Sequence, residues 1–255
     1  MKTSQYPMSE QLGDHVSLKL NRSDLIDNKV ALADALKRSS TLISLTVIPD
    51  RYASMEGSIS SAIFDLLRVN SALISLDLSS NLIGNEVAIY ISESLKVNST
   101  LTSLNLNWNS IEEEGATAIA DALKLNSSLE SLCLIGNSIL KEGARAIADA
   151  LKVNSSLTSL NLERNAIQQD GAKAIADALK VNSSLTCLNL HNNWIQQEGA
   201  VAIADALKVN SSLTCLNLCR NFFQQEGAMA IAAALKVNSS LTYLNLHSNS
   251  IQYEG

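Results

Sequence analysis

The stretch Leu157–Ser184, LTSLNLERNAIQQDGAKAIADALKVNSS, returns almost unchanged as Leu185–Ser212 and again as Leu213–Ser240, a step of 28 residues. Self-similarity at that period confines the chain to a stack of like units, each resting on its neighbours. Numbered from its first leucine, the unit has Leu157, Leu160 and Leu162 at positions one, four and six, Asn165 at nine and Ile167 at eleven. Positions three to seven alternate polar and apolar, the pattern of a half-buried strand. Leu160 and Leu162 then face a core, while Ser159, Asn161 and Glu163 face away. From Ala172 the period lengthens. Ala172, Ile175, Ala176 and Leu179 stand three or four apart, as on one face of a helix. Gly171 is expected just ahead of that helix, with Asp170 before it where negative charge is favourable. The helix is expected to stop near Val181 and Asn182, since Asn adopts the left-handed conformation that ends helices.

One strand and one short helix cannot bury their own apolar faces, but stacked copies can. Neighbouring strands lie about 4.8 Å apart and a helix with its side chains needs about 10 Å. The stack must therefore curve, strands inside the arc and helices outside. The expected class is α/β: a horseshoe solenoid with a parallel sheet on its concave face and helices on its convex face. Leu160→Ala, at a core position of the strand, is expected to cost about 2–5 kcal/mol in a denaturation experiment.

The pattern LxxLxLxxNxI followed by a helix resembles the leucine-rich repeat of the ribonuclease-inhibitor type. Similar repeats occur in the ligand-sensing regions of NOD-like receptors and in Ran GTPase-activating protein. The resemblance extends from about Val16 to Gly255. It implies the horseshoe fold and a binding role, with no single partner, because the fold hosts many.

Residues 1–14 match no part of the unit and are expected to form an N-terminal extension or cap. Residues 15–255 form the repeat domain, about nine units with the last incomplete. The first unit is degenerate, with Leu18 and Leu20 in place but Ser23 for the asparagine and Asn28 for the glycine. The second, from Leu42, carries three extra residues within IPDRYASMEGS, where Asp50 replaces the asparagine and Pro49 cannot donate to a sheet. Regular units begin at Leu73, Leu101, Leu129, Leu157, Leu185, Leu213 and Leu241. The last breaks off before its helix, leaving Leu244 and Leu246 uncovered, as expected of a fragment or the truncated end of a longer array.

A net charge of −6 and a pI near 5.1 argue against a nucleic acid or an anionic membrane as partner. No apolar run approaches the roughly 20 residues of a membrane span, and the start, MKTSQYPMSEQLGDH, lacks the apolar segment of a signal peptide. Four cysteines without framework spacing suit a reducing compartment, so a cytoplasmic location is expected. Asn126, Asn154, Asn182, Asn210 and Asn238 fit the glycosylation pattern, but they share one place in the unit and a helix end explains them better.

Copies this alike make their differences informative. The helices scarcely change, and Asp121, Asp149, Asp177 and Asp205 each precede a lysine by three residues on a solvated face. Position nine is asparagine in every regular unit, Asn81 to Asn249, a buried amide expected to bond the loop backbones of neighbouring units. Positions seven, eight and ten vary most. Position seven includes Glu163, His191, Cys219 and His247, position eight Trp108, Gly136, Arg164 and Arg220, and position ten Ala166, Trp194 and Phe222. Aromatics flanked by arginine are favoured at binding hot spots, and rings covering the rim of the core are the alternative. The expected function is a scaffold that binds a protein or peptide on its concave face through Trp108, Arg164, His191, Trp194, Arg220 and Phe222.

Cys187, His191, Cys215 and Cys219 do not make a zinc set. Four strand residues separate the two pairs by about 13 Å, beyond bonds of about 2.0–2.3 Å. No phosphate-binding Gly-x-x-x-x-Gly-Lys and no Gly-x-Ser-x-Gly occurs, so no enzyme, cofactor or metal is expected. Cys187 and Cys215 are expected to be free thiols. The resemblance to Ran GTPase-activating protein, whose irregular early repeat carries a loop arginine that acts on the bound GTPase, implies an alternative. Arg51 would take that role with a small GTPase as partner. A receptor's sensor portion is the other alternative.

Overall fold

In the computed structural model, residues 17–21, 29–49 and 57–251 are described. The expected cap over residues 1–14, Ser23, Asn28, Asp50 and Arg51 all lie outside them. Nine strands alternate with eight helices among the described residues. The strands are β1 (Ser17–Asn21), β2 (Ser44–Ile48), β3 (Ser75–Asp77), β4 (Ser103–Asn105), β5 (Ser131–Cys133), β6 (Ser159–Asn161), β7 (Cys187–Asn189), β8 (Cys215–Asn217) and β9 (Tyr243–Asn245). The helices are α1 (Lys29–Arg38), α2 (Gly57–Val69), α3 (Gly84–Leu95), α4 (Glu113–Leu123), α5 (Leu140–Leu151), α6 (Gln168–Leu179), α7 (Gln196–Leu207) and α8 (Gln225–Leu235). All nine strands form one parallel sheet in sequence order. The register is strict: Leu160 pairs with Leu188 and Leu188 with Leu216. This is the leucine-rich repeat solenoid that the 28-residue period requires.

The core lies between sheet and helices. Leu160, Leu162, Ile167, Ala172, Ile175, Ala176 and Leu179 are all buried, as are their copies in the next unit. On the outer face Lys124, Lys152, Lys180 and Lys208 each reach the aspartate three residues earlier at 2.8 Å. These exposed pairs contribute tenths of a kcal/mol.

Two helix expectations are corrected. α6 begins at Gln168, so Gly171 sits in its first turn rather than ahead of it. The glycine is there for contact: a Cβ would stand 2.5 Å from Ile167 Cγ2 and 2.9 Å from Ala144 Cβ of the preceding helix. Alanine would gain about 1 kcal/mol in helix propensity but forces two packed groups apart, which costs about 1–3 kcal/mol. Gly171→Ala is therefore expected to lower the midpoint of urea unfolding, although the same exchange at an exposed helix position would raise it.

Asn182 is not left-handed either, and Lys180 before it is still helical. Its amide joins two units instead. Nδ2 donates to Leu151 O at 2.8 Å and to Asn154 O at 3.2 Å, and Oδ1 accepts from Ser184 N and Leu185 N. A buried nitrogen so engaged cannot carry a glycan in the folded chain.

In the last unit Leu241, Leu244 and Leu246 are half-buried and Leu235 of α8 is exposed, whereas their counterparts one unit earlier are buried. Among the described residues no helix is long and apolar enough to cross a membrane.

Candidate functional site

From β3 to β9 each strand is shorter than the sequence alternation. The strand proper takes positions three to five, although ladder bonds continue from Leu162 N to Asn189 O and from Arg164 N to His191 O, both 2.9 Å. The chain then turns sharply. Position eight is left-handed in Trp108 (φ 56°), Arg164 (55°), Asn192 (54°) and Arg220 (55°), and position ten in Ala166 (51°), Trp194 (58°) and Phe222 (58°). Each such residue costs roughly 1–3 kcal/mol when it is not glycine, so something must hold the turn.

The asparagine at position nine holds it. Asn193 is fully buried. Its Oδ1 accepts from Asn165 N at 2.9 Å and its Nδ2 donates to Leu162 O at 2.8 Å, both in the preceding unit. Asn165 and Asn221 repeat the donation to Leu134 O and Leu190 O. The expected loop-bonding role of this column is what the structure shows. Because the backbone is fixed by position nine, the side chains at eight and ten project outward without any part in the core. Their identity is free to vary.

His191 sits at the end of the ladder, and Trp108, Arg164, Trp194, Arg220 and Phe222 stand on the loops beyond β4, β6, β7 and β8. They form a rim along the C-terminal ends of the strands rather than the floor of the sheet, because the left-handed turn at position eight ends the pleat.

The structure gathers them into two groups. Trp108 is 47% exposed, and its ring lies over the loop of the next unit, where a Cβ at Gly136 would come within 2.2 Å of Trp108 Cε3. The Arg164 guanidinium, one unit further, is 5.6 Å from the ring centroid, and its Nε is 3.7 Å from Glu163 Oε1. Trp108, Gly136 and Arg164 thus make one stack across three units. The second group is Trp194 and Phe222, 50% and 53% exposed. They line an open groove of about 510 Å³ with Gln169, Gln197, Glu198 and Gln224. His191 is half-buried and its Nε2 is buried without a hydrogen-bond partner, while Arg220 is exposed.

Gly136 and the groove glutamines escape a reading that looks for large variable side chains. Gly136→Ala is expected to displace the Trp108 ring. In a Trp194→Phe background, where Trp108 is the single tryptophan, the emission should shift to the red. An unshifted spectrum would show that the stack does not form. One exposed apolar column hardly varies at all: Val153, Val181, Val209 and Val237, each about two-thirds exposed just after its helix.

The chemistry of the rest of the face is quiet. Burial, and then the hydrogen-bonded Cys215 thiol, push Cys187 up to about 11. Burial, and then the charge of Asp77, raise Cys133. Both are thiols at neutral pH, not nucleophilic thiolates. Among the described residues no three His, Cys, Asp or Glu side chains are grouped to hold a metal ion.

Residues 101–199 match the family model of the tropomodulin and leiomodin (TMOD/LMOD) leucine-rich domain, and residues 209–232 and 237–255 match a leucine-rich repeat model. No curated protein matches the chain. Among solved structures, the leucine-rich repeat-containing protein LegL7 from Legionella pneumophila has a TM-score of 0.54 at 19% identity, over 89% of this chain and 82% of that one. The tropomodulin C-terminal domain from Caenorhabditis elegans has a TM-score of 0.52 at 15% identity, over 59% of this chain and 92% of that one. A structure of leiomodin-1 actin-binding site 2 has a TM-score of 0.48 at 22% identity, over 71% and 90% of the two chains.

Proposed function

We propose that this chain, a leucine-rich repeat protein of the ribonuclease-inhibitor type, is a scaffold for a protein or peptide partner. The partner lies along the rim formed by the loops after β4 to β8, touching Trp108, Arg164, His191, Trp194, Arg220 and Phe222. The observation that carries this reading is the pair Trp194 and Phe222: two large rings, half-exposed, side by side on loops whose backbone is already pinned. Rigid exposed aromatics lose little entropy on binding and supply much of the energy of known interfaces. Arginines beside them suit a partner with carboxylates or its own aromatic rings. We place the protein in a reducing, cytoplasmic setting, which its four unjoined cysteines support.

A GTPase activator working through Arg51 gains no support, since that residue lies outside the described ones and neither family model is that of a GTPase activator. The test is capture from source cells with the intact chain as bait, beside a Trp108/Trp194/Phe222 triple-alanine variant of unchanged circular dichroism. Purified actin, which the leiomodin-1 segment is named for binding, is assayed alongside. A protein held by the first bait and lost from the second supports the rim. A protein held equally by both contradicts it.

A further inference from the structure

Position three of the unit faces away from the core and is serine in six consecutive strands: Ser17, Ser44, Ser75, Ser103, Ser131 and Ser159. In β7 and β8 it becomes Cys187 and Cys215, which are direct register partners, and in β9 it is Tyr243. Both thiols are free and half-buried. Position three lies about 13 Å from position seven along the strand, so this pair has no part in the rim.

Register partners in a parallel sheet leave the backbone side by side, which keeps their Cβ atoms near the strand spacing of about 4.8 Å. A disulfide needs Cβ atoms about 3.5–4.5 Å apart. The ladder on both sides holds the strands and opposes that approach. One atom placed between the sulfurs removes the mismatch: with bonds of about 2.3 Å to each, it spans sulfurs up to about 4.6 Å apart. No third ligand stands by among the described residues, so zinc, which takes four, is not suited. A soft cation satisfied by two sulfurs is suited, and thiolates select Cu(I).

We propose that Cys187 and Cys215 form a two-coordinate thiolate site for Cu(I), or a like soft monovalent cation, on the concave sheet. On binding, both S–H bonds break, two protons pass to solvent and two copper–sulfur bonds form. Copper remains Cu(I), nothing is oxidised, and the bis-thiolate complex carries one negative charge.

The test is competition for Cu(I) between bicinchoninate and the reduced full chain carrying Cys133→Ser and Cys219→Ala. One Cu(I) per chain is expected. Cys187→Ser or Cys215→Ser should each weaken binding more than about 100-fold, with circular dichroism unchanged, because serine is what the other strands carry there. On the unsubstituted chain, Cu(I) should protect Cys187 and Cys215, but not Cys133, from iodoacetamide. This second measurement decides the matter if the background variant does not fold. Absence of competition with bicinchoninate, affinity within about threefold in either serine variant, or protection centred on Cys133 or Cys219 would each overturn the site.

Discussion

Replacing Asn193 by alanine is expected to cost about 2–6 kcal/mol, more than any exposed substitution in the chain. The change strips the partner from Asn165 N and Ile167 N, which donate to Asn193 Oδ1 at 2.9 and 3.4 Å, while Leu162 O keeps Asn165 Nδ2 at 3.0 Å. Asn193 is fully buried, so no water replaces it. Each backbone group left unpaired costs about 1–3 kcal/mol. The turn of the preceding unit loses its clamp as well: left-handed Arg164 and Ala166 flank Asn165, whose N–H the lost amide held. Stacked units share their stability with neighbours, so the loss should appear as a lower urea midpoint for the array. Lys180→Ala, which removes an exposed pair to Asp177, should cost under about 1 kcal/mol and serves as control. If the two variants unfold alike, the asparagine column does not pin the loops.

The second large effect is on binding, not stability. With the captured partner purified, Trp194→Ala and Phe222→Ala should each weaken it by about 2–4 kcal/mol, or roughly 30- to 1,000-fold. Half of each ring is already in water, so unfolding stability should change by about 0.5 kcal/mol or less. Calorimetric titration and urea unfolding of the same proteins separate the two. Binding intact while stability falls would mean that the rings cover the rim of the core.

Much of this architecture was legible because it repeats. Position-four leucines, the helix face at Ala172, Ile175, Ala176 and Leu179, and the buried asparagine column all follow from period and polarity, and the structure places them so. Where neighbouring units decide, the reading went astray. Gly171 looks like a helix start, but its cause is Ala144 one unit away. Asn182 looks like a left-handed stop, but its amide bonds carbonyls of the preceding unit. The variable positions seven, eight and ten fall at the end of the strand and on the loop after it. Left-handed turns at position eight set five of the site residues on those loops, and no single-residue pattern marks the turn in Trp108 or Arg164. Gly136 is informative by what it lacks, and it is read only once the Trp108 ring is seen above it. The valine column stayed hidden for the opposite reason, since comparison of copies is blind to what hardly differs between them.

Hydroxyl-radical footprinting of the chain with and without its captured partner tests the rim most directly. Trp108, Trp194 and Phe222 are exposed enough to react, and so are Tyr90 and Met229 on α3 and α8, which serve as controls within the same molecule. Binding on the rim should suppress oxidation of the first three and leave Tyr90 and Met229 unchanged. Suppression at Tyr90 and Met229 with the three rim aromatics still oxidised at the free rate would contradict it and move the working surface to the helices.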